Sequence, residues 1–152
     1  MVHTETPAII VETIAIEAPM AAVFAALTEP EQLVAWWGSD DSHHLTAMER
    51  DLYVGGPWKV SGQGCDGEPF TVSGVYRVVE PPRLLECSWR HDWHDGDDPA
   101  SDTIVRYELE GRDAGVTQLT VTHSGFVNMT DRDEHAAGWK TVLGWLRAFV
   151  TR

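Results

Sequence analysis

The chain has few cysteines, little positive charge and no long apolar run. Two of its 152 residues are cysteines, Cys65 and Cys87, at a spacing that fits no metal-binding pattern. Two free thiols in a reducing compartment are expected, not a disulfide scaffold. Eleven basic against 24 acidic residues leave a net charge of −13. That balance argues against nucleic acid and against anionic membrane surfaces as partners, because both need a basic footprint. No apolar stretch approaches the roughly 18 residues that cross a bilayer, and Met1–Pro7 is too polar for the core of a signal peptide. A soluble, cytoplasmic protein is expected. With no internal repeat, low-complexity tract or Pro/Ser-rich linker, residues 1–152 are expected to form one domain. That length buries about two-thirds of the unfolded surface.

Catalytic and metal-binding signatures are missing as well. The chain has no Gly-x-Ser-x-Gly elbow, no phosphate-cradling glycine loop and no His-Glu-x-x-His. The glycines at 55, 56, 62, 64 and 67 read as turn residues. His91 and His94 would point to opposite faces of a strand, and the adjacent His43 and His44 do not converge easily on one ion. The Asp-rich stretch 92–98 lacks calcium-loop spacing. No metal and no cofactor are expected.

What the chain does have is tryptophan, seven in all. Trp36 and Trp37 stand side by side before Gly38, at the end of a short helical pattern. Neighbours on a helix point about 100° apart, so two adjacent indoles do not fill one core position. One should pack and the other should line a groove or rim; the sequence leaves open which. Each tryptophan also has the plain reading of a core residue.

The rest of the pattern reads as strand 9–17, then a helix over 20–27 entered through Pro19, and a second short helix that Pro30 starts and whose apolar positions Leu33, Trp36 and Trp37 end at Gly38. Strands are expected at 45–52, 58–61, 69–80, 83–93, 102–110 and 116–124. Turns fall at 54–57, 62–67, Pro81-Pro82, 95–99 and 111–115. Short turns between consecutive strands favour an antiparallel meander over βαβ units. From 130 to 151 the period changes: Trp139, Val142, Leu143, Leu146, Phe149 and Val150 recur at three- and four-residue steps, behind a Thr130–Asp133 capping pattern. One long amphipathic helix needs a sheet face to cover it. The expected fold is therefore α+β, a curved antiparallel sheet of six or seven strands wrapped around a C-terminal helix.

The order strand, two short helices, six strands and a long helix resembles the START-like, helix-grip superfamily, which includes the birch-pollen allergen. The motifs resemble the branch named for homology to the activator of the ninety-kilodalton heat-shock protein's ATPase. They are Ala18-Pro19 with Val23-Phe24; Thr28 to Leu33 followed by Trp36-Trp37-Gly38; Val54 to Trp58; Gly74-Val75-Tyr76 through Pro81 to Leu84 and Trp89; Thr122 to Phe126; and His135 through Gly138-Trp139. Together they cover about residues 9 to 151.

The resemblance implies a cavity between sheet and C-terminal helix, and strand alternation then selects its walls. Leu85, Cys87, Trp89, His91 and Trp93 share one face; Val105, Tyr107 and Leu109 share another, as do Leu119, Val121 and His123. The expected ligand-binding set is Trp36, Trp37, Trp58, Tyr76, Trp89, His91, Tyr107, His123, Phe126 and Trp139. The leading expectation is non-catalytic binding of a small apolar or aromatic molecule. Superfamily relatives include polyketide cyclases and lipid carriers, so one alternative is a cyclase-, dehydratase- or hydrolase-like enzyme with a cavity histidine as acid or base. Another is a protein-interaction module, a homodimer included. The co-chaperone carries a further N-terminal domain for which this chain has no room, so a chaperone partnership is not expected.

Overall fold

The computed structural model describes residues 9–39, 43–64, 66–91, 102–112, 115–126 and 129–152, apart from the side chains of His91 and Asp131. Ten elements follow in chain order: β1 (Ile10–Ile16), α1 (Met20–Thr28), α2 (Pro30–Trp36), β2 (His44–Arg50), β3 (Pro57–Gln63), β4 (Pro69–Glu80), β5 (Leu84–His91), β6 (Thr103–Arg112), β7 (Val116–Ser124) and α3 (Met129–Val150). The strands form one seven-stranded antiparallel sheet in the order β1-β7-β6-β5-β4-β3-β2. This is the α+β helix-grip architecture expected from the sequence, including the two short helices after the first strand.

The sheet alternates as a one-sided core requires. Val105, Tyr107 and Leu109 of β6 and Leu119 and Val121 of β7 are buried. The opposite face is polar, with Arg106 on both Glu86 and Glu108, and Arg77 on Glu86. Helix α3 lays Trp139, Val142, Leu143 and Leu146 against the apolar face. Burying each aliphatic side chain of that stripe contributes about 1.5–3 kcal/mol, more than helix propensity supplies.

Three local readings change. β3 runs on through Gly62 and Gln63, so the expected 62–67 turn is shorter. Gly62 packs under the Phe70 ring, where a Cβ would come within 2.6 Å of the ring carbons. Leu52 lies outside β2, which ends at Arg50. Thr130 falls inside α3, one residue past its start, and so does not cap it. The end of the expected 83–93 strand and the 95–99 turn lie outside the described residues beyond His91.

The tandem tryptophans mark where a helix ends. Trp36 is the last residue of α2, and Trp37 is its C-cap with extended backbone (φ −82°, ψ 100°). The Trp37 amide still donates to Leu33 O, and its carbonyl accepts from the Leu45 amide. Gly38 follows at φ +123°, where a Cβ would lie 2.3 Å from the His44 Cα. Only glycine fits both that angle and that approach. Arg50 fastens this corner to the sheet, its Nε donating to Thr28 O at 2.8 Å and its other end pairing with Glu29.

Candidate functional site: a chamber between sheet and helix

A cavity of about 440 Å³ lies between α3, the two short helices and strands β2 to β6. Its floor is Val60 of β3, Val72 and Tyr76 of β4, Leu85, Cys87 and Trp89 of β5 and Tyr107 of β6. Leu27, Leu33 and Trp37 close one end, and His135, Trp139 and Val142 of α3 form the roof. The exposed members of the lining mark the opening: Glu68 and Pro69 from the β3–β4 hairpin, Glu134 and Gly138 from α3.

Aromatic contacts set the walls. Trp89 is the hub, with ring centroids 5.4 Å from Trp58, 5.8 Å from Trp37 and 5.9 Å from Trp139. Such stacked and tilted aromatic pairs add about 0.5–1.5 kcal/mol each beyond the area they bury. The helix end decides the roles of the tandem pair. Trp36, in helical backbone, turns into the core and donates its Nε1–H to Ala26 O at 2.8 Å. Trp37, in extended backbone, turns to the chamber, with its ring 5.1 Å from that of Trp36.

The interior carries hydrogen-bonding groups, and no lysine or arginine lines it. Burial pushes the Tyr107 phenol well above its ordinary value, with smaller contributions from Cys87 and Tyr76. Burial likewise raises Tyr76 and the Cys87 thiol, the latter assisted by Glu86. All three are protonated and neutral near neutrality, and Cys87 is no thiolate nucleophile. Burial lowers His43, helped by His44, and keeps its imidazole uncharged. The Nε1–H groups of Trp58 and Trp89 are buried and have no hydrogen-bond partner among the described residues. An unpaired buried donor costs about 1–3 kcal/mol, so two in one wall are a local deficit that an acceptor would remove. Gly74 keeps Trp58 Nε1 clear: a Cβ there would sit 2.8 Å from that nitrogen and 1.9 Å from Ser88 O.

His123 has a different job from the one its strand position suggested. It is fully buried but does not line the cavity. Trp139 Nε1–H donates to His123 Nδ1 at 2.9 Å, so Nδ1 is the bare nitrogen and Nε2 carries the hydrogen. Nε2–H then donates to Thr103 Oγ1 at 2.7 Å, and that hydroxyl donates to Trp89 O at 3.1 Å. The chain ties α3 to three strands. Phe126 packs against His123 at 4.4 Å and against His135, outside the lining. The His91 backbone pairs with Val72, and its side chain is outside the described set.

Of the ten residues expected at the site, Trp37, Trp58, Tyr76, Trp89, Tyr107 and Trp139 come together around the cavity. Trp36, His123 and Phe126 support it from behind. Sequence reasoning passed over His43, His135, Glu68, Glu134 and Gly138 as wall residues. The α3 members carried a signal, since 134, 135, 138, 139 and 142 fall on one helical face. Among the described residues no cluster of three metal-ligating side chains forms, and no helix is long and apolar enough to cross a membrane.

The chain matches a family model described as "Activator of Hsp90 ATPase homolog 1-like protein" over residues 17–151. No curated protein matches it in sequence. Among solved structures it is similar to protein CV1439 from Chromobacterium violaceum, with a TM-score of 0.81 and 22% identity over 95% of this chain and 98% of that one. CalU16 from Micromonospora echinospora superposes with a TM-score of 0.71 and 25% identity, covering 93% of this chain and 75% of that one. DynU16, from the dynemicin biosynthetic locus, gives 0.73 and 23%, covering 96% of this chain and 48% of that one. At these identities the likeness is one of fold.

Proposed function

The chain belongs to the activator of Hsp90 ATPase homolog 1-like family, and on that premise we propose that it is a non-catalytic binder of a small apolar or aromatic molecule. The observation that carries this reading is the roughly 440 Å³ chamber, walled by aromatic and aliphatic side chains and open on one side. That volume lies within the roughly 300–1,000 Å³ typical of small-molecule sites. Burial of apolar area at about 25 cal/mol per Å² supplies the affinity. The unpaired Trp58 and Trp89 N–H groups, with the Tyr76 and Tyr107 hydroxyls, supply orientation, so the guest should carry a neutral acceptor such as a ketone, ether or phenol oxygen.

The same features support binding over catalysis. The wall offers uncharged phenols and a protonated thiol. The buried histidine has both nitrogens engaged in holding α3 to the sheet. The family's name comes from a co-chaperone, and a shared fold does not transfer that activity.

The test is a tryptophan-fluorescence titration with 2-naphthol, run on the native chain and on Trp37→Phe and Trp36→Phe. Saturable quenching that shrinks on replacing Trp37, and much less on replacing Trp36, supports the reading. No saturable signal with 2-naphthol or with a panel of apolar and phenolic compounds would refute it.

A further inference from the structure

We infer that the chamber selects its guest by charge, taking amphiphiles whose outer end is an ammonium and excluding carboxylates of the same shape. The inference rests on the binding reading above and adds the class of head group. All eleven lysines and arginines belong to the described residues, and none lines the chamber. Most are tied down elsewhere: Arg50 at Thr28 and Glu29, Arg90 at Asp102, Arg106 at Glu86, and Arg132 at Ile9 O and Asp133. A guest carboxylate would leave water and meet no lysine or arginine.

The opening has the opposite character. Glu68 approaches from the β3–β4 hairpin and Glu134 from α3, and both are exposed members of the lining. Gly138 lies one helical turn after Glu134, and a Cβ there would meet nothing within 4 Å, so the space beside the acid is open. Behind that rim the lining is aromatic and aliphatic, with Trp37, Trp58, Trp89 and Trp139 among it. A positive head would therefore find carboxylates at the rim and π faces behind it, the arrangement that recognises alkylammonium groups. The chain's charge of −13 adds a long-range field that concentrates cations and repels anions.

Three probes sharing one naphthalene body separate this inference from the binding reading: (2-naphthylmethyl)trimethylammonium, 2-naphthylacetate and 2-naphthylmethanol. Dissociation constants are measured by titration calorimetry on the native chain and on Glu68→Gln/Glu134→Gln. The ammonium should bind at least threefold more tightly than the carboxylate at about 20 mM salt, and the ratio should shrink at about 300 mM as exposed charges are screened. The double variant should lower that ratio, each charged probe being referred to the alcohol on the same variant. Carboxylate binding within threefold of the ammonium, or a ratio untouched by the double variant, overturns charge selection while alcohol binding leaves the chamber reading standing. Failure of all three probes overturns both. Circular dichroism of the double variant confirms that it is folded.

Discussion

Replacing Thr103 by Val tests the His123 relay with little change of shape. Valine keeps the β-branched outline that suits a strand and removes only Oγ1, the acceptor for His123 Nε2–H at 2.7 Å. His123 has no exposed surface, so water does not reach the donor in place of the hydroxyl. Removing one partner of such a buried pair costs about 1–3 kcal/mol. At roughly 2–4 °C per kcal/mol for a chain of this size, the melting temperature should fall by about 2–12 °C. Thr120→Val is the matched control. Among the described residues its hydroxyl meets Thr13 Oγ1 at an exposed pair, and the change should stay within about 0.5 kcal/mol. Differential scanning calorimetry reads both variants. Long-range ¹H–¹⁵N spectra of the native chain add an independent check, since Trp139 donating to Nδ1 requires the Nε2–H tautomer. Equal melting shifts for the two variants, or an Nδ1–H tautomer, would refute the relay.

Other outcomes follow from the same geometry. Gly74→Ala should cost about 1–3 kcal/mol in urea unfolding, because its Cβ would lie 1.9 Å from Ser88 O and a strand backbone must move. Gly138→Ala should instead raise stability by up to about 1 kcal/mol, since its methyl meets open space and glycine is a poor helix former. The contribution of the buried thiol and phenols to stability should be full below pH 9 and fall above it. The Cys87 thiol and the Tyr76 and Tyr107 phenols have folded values raised above the ordinary 9.0 and 10.0, so the unfolded chain loses those protons first. Tyr107→Phe should flatten that decline by up to about 1.4 kcal/mol per pH unit. At the acid side the lowered His43 acts in the other direction, its contribution being present above 6.5 and lost as pH falls below it. His43→Gln should weaken that acid-side slope in pH-dependent unfolding.

Much of the fold was legible because its signals are periodic. The two-residue alternation in β5, β6 and β7 placed Leu85, Tyr107 and Val121 on one face, and the three- and four-residue steps of α3 identified its buried stripe. Three of the chamber's aromatic walls, Trp89, Tyr107 and Trp139, followed from those periods. What periodicity did not carry was the next layer of detail. Alternation put His123 inward, as a wall; only the donor geometry of Trp139 and Thr103 shows it consumed by the fold. Trp36 and Trp37 were read as neighbours on a helix, 100° apart, whereas the helix stops between them and the change of backbone conformation sets their directions. Glu68 and Glu134 are not singled out by the sequence, because nothing local in it tells that a hairpin and a helix bring them to one opening.

The central claim is that the space under α3 is a binding chamber, and calorimetric melting with and without 2-naphthol tests it most directly, using a chamber-filled variant, Val72→Phe, as the control. A saturable guest at about 100 times its dissociation constant stabilises the native state by about 2.7 kcal/mol, which is roughly 5–11 °C here. The account predicts that rise for the native chain and its loss in Val72→Phe. No rise in the native chain, or an equal rise in the filled variant, would contradict it.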